Sequence, residues 1–183
     1  MQCDHVEQYN ARKDGKPFDM EGFMADATGY ESTFMPYAEV ADMYIAGHYW
    51  AEGSPFLFTR EDMKAASWNV KVVADVSCDI DGPVACTLRP STIAEPLYGY
   101  NPSTESECAI DDPSGVTVMA VDNLPCELPR DASHGFGKEM MAHVIPLLVG
   151  GDRDNMLTNA TETTLEGTLA PKFAYLQDYI DQA

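Results

Sequence analysis

The sequence predicts an α/β fold, namely the second half of a Rossmann-like parallel sheet with flanking helices and a C-terminal return helix. Three apolar runs, at residues 42–50, 70–76 and 116–121, have the length and the β-branched or aromatic content of strands. Helical patterns follow the first and the third run. Because helices on both faces of a parallel sheet remove any need for alternating polarity, we expect the strands to be buried on both faces.

The third run and the segment after it form a strand–turn–helix pattern. The run ends in Asp122, Asn123 and Leu124, and a helix is expected near Pro129, because proline fits a first helical turn. Asp131 then places negative charge at the positive end of the helix dipole. The spacing predicts one apolar stripe on this helix, made of Phe136, Met140, Val144 and Leu147. Further along, Pro171 begins a last helical pattern within residues 165–180.

The turn at residues 122–124 is a candidate ligand site, because ligands of open α/β sheets lie beyond the carboxyl ends of the strands. The alternative is that Asp122 and Asn123 only satisfy backbone groups of the turn, as these residue types usually do.

The first run ends in a glycine and three aromatic side chains, which could enclose a ring-shaped ligand: Gly47, His48, Tyr49 and Trp50. His48 is a candidate proton carrier, although a histidine beside aromatic residues is more often a packed, hydrogen-bonded side chain. After this run, Thr59 with Glu61 and Asp62 indicates the start of a helix.

Two carboxylates, Asp75 and Asp79, bracket the end of the second run. Polar groups at such a position can hold ribose hydroxyls, a substrate ammonium or a proton in transfer. Equally, both could cap a turn. Residues 83–114 that follow are rich in proline, serine and acidic residues, and residues 92–100 form either an edge segment or a lid.

Charge and composition exclude several classes of partner. The chain has 183 residues with 45% hydrophobic content, and its 30 acidic against 11 basic residues give a formal net charge of -19. Such a charge repels phosphate backbones and anionic lipid surfaces, so we expect neither nucleic acid nor membrane as a partner. The alternative explanation for the charge is plain solubility.

The cysteines and the absence of targeting signals predict a soluble protein of the cytoplasm. Five cysteines without a CxxC pair favour reduced thiols, and metal-ligand spacing is absent: Cys3, Cys78, Cys86, Cys108 and Cys126. No apolar segment approaches the roughly 20 residues of a membrane span, and residues 1–20 have no signal-peptide pattern.

Several expected motifs are missing from the sequence. Neither GxGxxG nor GxxxxGK[ST] occurs, although a glycine-rich turn is what lets a pyrophosphate approach a helix N-terminus. The nucleophile motif GxSxG is also absent. The residues alone therefore indicate the C-terminal half of an α/β ligand-binding domain that holds a dinucleotide poorly or not at all.

Five motifs in one order resemble a known family. They are ADMYIAGHYW, SPFLFTREDM, VVADVSCDIDG, TIAEPLYGYNP and VMAVDNLPCELPRDAS. Together they resemble the C-terminal half of saccharopine dehydrogenases, in particular the L-lysine-forming type, and the lysine/2-oxoglutarate reductase domain of the bifunctional lysine-degrading enzyme. The chain is more distantly similar to alanine dehydrogenase and to the nucleotide-binding subunit of transhydrogenase. The resemblance covers about residues 17–149.

The resemblance implies a reductive condensation of lysine with 2-oxoglutarate, or the reverse oxidation, with hydride passing to or from NAD or NADP. It implies small-molecule amino acid and 2-oxo acid partners, and it is compatible with a homo-oligomer. Asp79 would orient substrate or relay a proton. The implied cofactor contacts are Gly47, His48, Tyr49, Asp75, Val76, Ser77, Asn123 and Leu124.

The resemblance also implies how the chain is divided and what it lacks. Residues 1–128 would be the C-terminal part of a nucleotide-binding domain, and residues 129–183 the connecting helix and return segment to a substrate domain. The family's glycine-rich turn and its acid and base residues have no counterpart here, so we expect a truncated chain that is inactive by itself. Asp4 is too weakly placed to choose between NAD and NADP.

Two other functions stay open at this point. The chain could be a non-catalytic binding or assembly module that keeps the fold, or an alanine dehydrogenase-like enzyme acting on pyruvate and ammonia. The long segment at residues 83–114 disfavours the second of these.

Overall fold

A computed structural model describes residues 5–51 and 53–181, so Cys3 and Asp4 lie outside the described residues. The chain divides into two compact units, Met1–Glu127 and Leu128–Ala183. No helix in the described parts is both long enough and apolar enough to cross a membrane.

The first unit begins with a small antiparallel pair, β1 (Asn10–Arg12) and β2 (Tyr30–Ser32). Helix α1 (Met20–Ala25) lies between them, and Tyr30 packs edge-on against the ring of Phe23 with centroids 5.0 Å apart. The short helix α2 (Met35–Ala38) follows, with a proline in its first turn.

The first unit then forms a five-stranded mixed sheet. Its strands are β3 (Met43–Ala46), β4 (Val72–Asp75), β5 (Leu97–Asn101), β6 (Ser106–Cys108) and β7 (Val116–Met119). The spatial order is β3-β4-β7-β5-β6. Strands β3, β4 and β7 are parallel, whereas β5 is antiparallel to β7 and β6 is antiparallel to β5. The three apolar runs are therefore the three parallel strands, which confirms the predicted fold class.

The prediction that these strands are buried on both faces is wrong, because residues on one face of each strand remain partly exposed. Val73 and Val118 are fully buried, whereas their neighbours Val72 and Thr117 are only half-buried. On β3, Met43 and Ile45 are 56% and 55% exposed. The reason is that the core lies against one face of the sheet, where Phe34, Phe58 and other residues of α2 and the connecting segments cover it.

The connections between the parallel strands also differ from the prediction. Between β3 and β4, the described residues form a 3-10 turn (Asp62–Lys64) and no longer helix. Just before this turn, the side chains of Thr59 and Asp62 each accept a hydrogen bond from the other residue's backbone N–H. Residues 83–114 contribute β5 and β6, so part of the proposed edge segment or lid is an internal strand. The connection from β4 to β7 thus contains this antiparallel hairpin, which extends the same sheet beyond β7.

A group of packed aromatic side chains lies within the core of the first unit. Phe58 is 1% exposed, stacks on Phe34 at 5.7 Å and contacts Trp68 at 4.9 Å between ring centroids. Burying one such side chain stabilises the fold by roughly 1.5–3 kcal/mol. This cluster packs against β3 and β4 on one face of the sheet. It thereby holds in place the residues that follow these two strands.

The second unit is helical. Helix α3 (Pro129–Glu139) continues through a π-helical turn (Met140–Val144) into α4 (Ile145–Gly150), and Gly151 ends it with a φ of 94°. Helix α5 (Met156–Ala160), a 3-10 segment (Pro171–Leu176) and α6 (Gln177–Asp181) follow. The helix starts at Pro129 and Pro171 are confirmed. Of the predicted stripe, Phe136 is 69% exposed, and the other three residues are half-buried.

Candidate functional site

Strands β3 and β4 deliver their following residues to the same edge of the sheet. Ala46 pairs with Asp75 in the parallel register, and the N–H of Val76 donates to the carbonyl of Ala46 at 2.8 Å. A cavity of about 330 Å³ lies beyond these strand ends. It is lined by Gly47, His48, Tyr49, Trp50, Val76, Ser77 and Asp79. We call it the first cavity.

Asp75 does not line this cavity, because its carboxylate is turned into the protein. It is fully buried, and one oxygen accepts from the N–H and hydroxyl of Ser77 at 3.1 and 2.5 Å and from the N–H of Cys78 at 3.2 Å. The other oxygen accepts from the Thr87 hydroxyl at 2.5 Å. Asp75 therefore caps the turn that follows β4, as the second alternative expected. Thr87, which the sequence did not single out, holds the Asp75 carboxylate in place.

The loop after β4 is tightly wound. Cys78 and Asp81 both adopt left-handed backbone angles, with φ of 56° and 53°. A Cβ added to Gly82 would lie 2.6 Å from the Cβ of Asp79, so only glycine fits there without a shift. Arg60 holds Asp81 at 3.0 Å. Residues in sparsely populated backbone regions often mark functional loops.

Asp79 differs from Asp75 in that its side chain remains available. It is half-buried and lines the first cavity. Within residues 5–51 and 53–181, its carboxylate takes part in neither a hydrogen bond nor a salt bridge, while its backbone carbonyl accepts from Gly82 at 3.1 Å. This carboxylate can therefore accept a hydrogen bond from a ligand or pair with a cation.

His48 lines the first cavity, and its ring carries an unpartnered nitrogen that is buried in the protein. Its Nε2 atom is buried and has no hydrogen-bond partner among the described residues, and its ring lies 6.4 Å from that of Tyr9. Burial lowers the pKa of the imidazole, and the Asp75 and Asp79 carboxylates partly oppose that shift. The lowered pKa favours the neutral imidazole.

Two aromatic residues form the outer wall of the first cavity. Tyr49 is 88% exposed. Trp50 stacks on Phe56 with ring centroids 5.7 Å apart, and its indole N–H donates to the carbonyl of Ser54 at 3.2 Å. Trp50 is therefore fixed in place, whereas Tyr49 projects outward.

A second cavity, of about 380 Å³, lies at the end of β7. It is lined by Pro90, Ser91, Thr92, Ile93, Ala94, Val121, Asp122 and Asn123. Ser91, another residue the sequence did not single out, holds its two sides together. The Ser91 N–H donates to the Ala120 carbonyl at 2.8 Å, and its hydroxyl accepts from the Ala120 N–H at 2.9 Å.

The predicted residues after β7 are divided between this cavity and the next turn. Asn123 lines the second cavity, whereas Leu124 begins a 3-10 turn (Leu124–Glu127) and is half-buried. Among the described residues, the side chains of Asp122 and Asn123 form no hydrogen bond with the turn. The backbone carbonyl of Asn123 accepts a hydrogen bond from the N–H of Cys126 at 3.1 Å.

The two cavities share one edge of the sheet, because β4 and β7 are parallel neighbours. Cys78 follows β4 at that edge. Burial raises the pKa of its thiol, and Asp75, Asp122 and Asp79 raise it further. Five of the eight predicted contact residues and Asp79 thus meet at the first cavity, and Asn123 lies at the second.

Comparison with known proteins gives no matching family model. The chain is 31% identical to an alpha-aminoadipic semialdehyde synthase of Arabidopsis thaliana over 129 residues, which are 67% of this chain and 12% of that protein. It is 24% identical to the mitochondrial alpha-aminoadipic semialdehyde synthase of Mus musculus over 157 residues, 73% of this chain and 17% of that protein.

A shorter relative has a different name. The chain is 28% identical to a saccharopine dehydrogenase [NAD(+), L-lysine-forming] of Schizosaccharomyces pombe over 120 residues, 61% of this chain and 30% of that protein. The chain thus spans less than a third of the length of these curated relatives. At low identity over about two thirds of the chain, they confirm the family resemblance that the motifs indicated.

Proposed function

We propose that this chain, which is homologous to the alpha-aminoadipic semialdehyde synthases and saccharopine dehydrogenases, forms the nicotinamide-facing part of an NAD- or NADP-dependent oxidoreductase of lysine metabolism. Its reaction is the condensation of lysine with 2-oxoglutarate by reduction, or the reverse oxidation. The observation that carries the proposal is that six of the residues expected at the cofactor or the substrate line one cavity, although they come from two separate strand ends.

The residues of the first cavity fit the nicotinamide riboside part of the cofactor, which carries no phosphate. His48 is one of the lining residues, and the carboxylate of Asp79 can accept a hydrogen bond from a ribose hydroxyl. No lysine or arginine is among the residues that line the cavity in the described part of the chain. The cofactor supplies the hydride acceptor or donor, and its phosphates would be held by other groups.

We assign three roles to the residues of this edge. Gly47, His48, Tyr49, Val76 and Ser77 contact the cofactor, and Asp79 orients the substrate or relays a proton beside it. Asp75 acts indirectly, because its bonds to Ser77, Cys78 and Thr87 fix the shape of the loop. Asn123 and Leu124 approach the cofactor from the end of β7.

Residues 1–128 would then belong to a nucleotide-binding domain and residues 129–183 to a return segment toward a substrate domain. Lysine and 2-oxoglutarate are the proposed small-molecule partners. The proposed location is the cytoplasm, whereas the mouse relative is named as mitochondrial. The proposal includes both NAD and NADP, and the name of the fission yeast relative specifies NAD(+).

We expect the isolated chain to be inactive, because the sequence has no GxGxxG turn to hold a pyrophosphate. The chain is incubated with lysine, 2-oxoglutarate and reduced nicotinamide cofactor, and oxidation of the cofactor is followed by absorbance. No turnover above the rate without protein is the expected result. Cofactor oxidation that depends on both lysine and 2-oxoglutarate would contradict this prediction.

Cofactor contact at the first cavity is tested by tryptophan fluorescence with nicotinamide mononucleotide. Trp50 lines the cavity and Trp68 lies in the core against Phe58, so the two tryptophans of the chain provide a matched pair. We expect saturable quenching that persists in Trp68→Phe and is lost in Trp50→Phe. Equal quenching in both variants, or none in the parent chain, would refute cofactor contact at this cavity.

A further inference from the structure

We propose that the second cavity binds a primary alkyl ammonium group, with the Asp122 carboxylate as its counter-ion and an apolar wall against its alkyl chain. The chemistry of the cavity carries this proposal. Only the identification of the amine as an amino acid substrate rests on the proposed function.

The charge of the cavity favours a cation. Asp122 is exposed at the mouth, and within the described residues its carboxylate forms neither a salt bridge nor a hydrogen bond. The nearby Arg89 is already engaged, since two of its nitrogens donate to Glu107 at 2.9 and 2.7 Å. No lysine, arginine or histidine lines the cavity in the described part of the chain. A ligand cation would therefore meet an uncompensated carboxylate.

The walls of the cavity favour an alkyl chain behind that cation. Ile93, which is 43% exposed, and Ala94, which is also exposed, provide the apolar surface of the cavity, and Val121 lines it but is only 3% exposed. Covering such surface with methylene groups is favourable in proportion to the area removed from water. A carboxylate next to an apolar wall matches a long aliphatic amine better than it matches a sugar hydroxyl or a phosphate.

The cavity is built before any ligand arrives. Ser91 is 2% exposed, and its hydroxyl also donates to the carbonyl of Pro96 at 2.8 Å. Together with its two bonds to Ala120, this fixes the loop that carries Ile93 and Ala94 against the end of β7. A preformed site loses less conformational freedom on binding.

The position of the second cavity suits an amine that takes part in the proposed reaction. The first cavity includes residues that follow β4 and the second includes residues that follow β7, and these two strands are parallel neighbours. A hydride acceptor in the first cavity and an amine in the second would therefore lie at the same edge of the sheet.

The test uses the full chain labelled with ¹⁵N and two probes of nearly equal shape, n-pentylamine and 1-pentanol. We expect pentylamine to shift the amide signals of residues 90–94 and 121–123 in a saturable way and to bind at least tenfold more tightly than pentanol. Added salt should weaken only the amine, because salt screens charge pairs. Equal affinities, or shifts confined to residues elsewhere, would overturn the proposal.

A matched pair of variants isolates the charge. Asp122→Asn should weaken pentylamine binding at least fivefold and leave pentanol binding unchanged. Asp111→Asn makes the same change at an exposed carboxylate on the loop before β7 and should leave both affinities as in the parent chain. Unchanged pentylamine binding in Asp122→Asn would overturn the role of this carboxylate.

The outcomes separate this proposal from the proposed function. Pentylamine binding at the second cavity without quenching of Trp50 by nicotinamide mononucleotide would sustain the amine site and reject the cofactor site. Quenching without amine binding would do the reverse. L-lysine with L-norleucine as its control then tests the substrate identity, and lysine should bind more tightly because only its side chain carries an ammonium group.

Discussion

Asp75 shows how a single buried carboxylate shapes the candidate site. Its position after an apolar strand made it a candidate from the sequence, with ligand binding and turn capping as equal alternatives. Its partner Thr87 lies twelve residues away along the chain, and no local spacing connects the two. The sequence does not indicate the role of Ser91 for the same reason, since its partner Ala120 is 29 residues away. Donors brought together by folding leave no pattern in the sequence.

Thr87→Val tests the support of Asp75. The substitution keeps the shape of the side chain but removes the hydroxyl that donates to a buried carboxylate oxygen, and leaving such an oxygen unpaired costs about 1–3 kcal/mol. Urea unfolding followed by tryptophan fluorescence reports on this unit, because both tryptophans lie in it. Thr117→Val, at a half-buried strand position, should change stability by less than about 0.5 kcal/mol. Equal stability of the two variants would show that Asp75 does not need this donor.

His48 predicts a pH dependence. Burial lowers its pKa in the folded chain below the ordinary value of 6.5, against the opposing effect of Asp75 and Asp79. Between the lowered and the ordinary value the unfolded chain binds more protons, so stability should fall as the pH decreases through about 6.5. We expect the loss of stability between pH 7 and pH 5.5, measured by urea unfolding, to be smaller in His48→Asn than in the parent chain. His134→Asn, which changes an exposed histidine, is the control and should show the same loss as the parent chain. An identical pH dependence in all three proteins would contradict the burial of His48.

At the scale of elements, apolar runs identify strands more reliably than they identify what covers them. The runs predicted β3, β4 and β7 and the start of α3, because β-branched content and Pro129 act locally. Burial on both faces failed because an apolar strand does not specify its neighbours. The hairpin of β5 and β6 was missed because residues 83–114 are punctuated by proline and serine, which favoured a loop.

The close pairing of β5 and β6 requires a glycine at position 99. A Cβ there would lie 2.5 Å from the Ala109 carbonyl oxygen and 2.8 Å from that of Cys108, so Gly99→Ala must push β6 away from β5. Overpacking of this kind costs about 1–3 kcal/mol. Gly29→Ala is the control, since a Cβ at Gly29 meets nothing within 4 Å. Hydrogen exchange should show reduced protection in β5 and β6 for Gly99→Ala alone, and unchanged protection would contradict the close approach.

At the scale of the whole molecule, the candidate site follows from strand direction. The carboxyl ends of parallel neighbours meet at one edge, so residues separated by about thirty positions in the sequence line a common cavity there. The family resemblance implied a common site for Gly47, His48, Tyr49, Val76, Ser77 and Asp79, and the parallel register of β3 and β4 brings these residues to one cavity. The sequence marked residues 122–124 as a candidate ligand site, but it did not predict the opposite wall at residues 90–94, which depends on a loop conformation that Ser91 sets.

Amide NMR of the full chain titrated with nicotinamide mononucleotide tests the central claim most directly. If this edge of the sheet contacts a nicotinamide, the largest shifts should occur at residues 47–49 and 76–79, with smaller ones at Asn123 and Leu124. Substituting Tyr175→Phe, an exposed change in the second unit, should leave this pattern intact. Saturable shifts that map to the second unit instead, or no shifts at a concentration that saturates the spectrum of a folded chain, would contradict the claim.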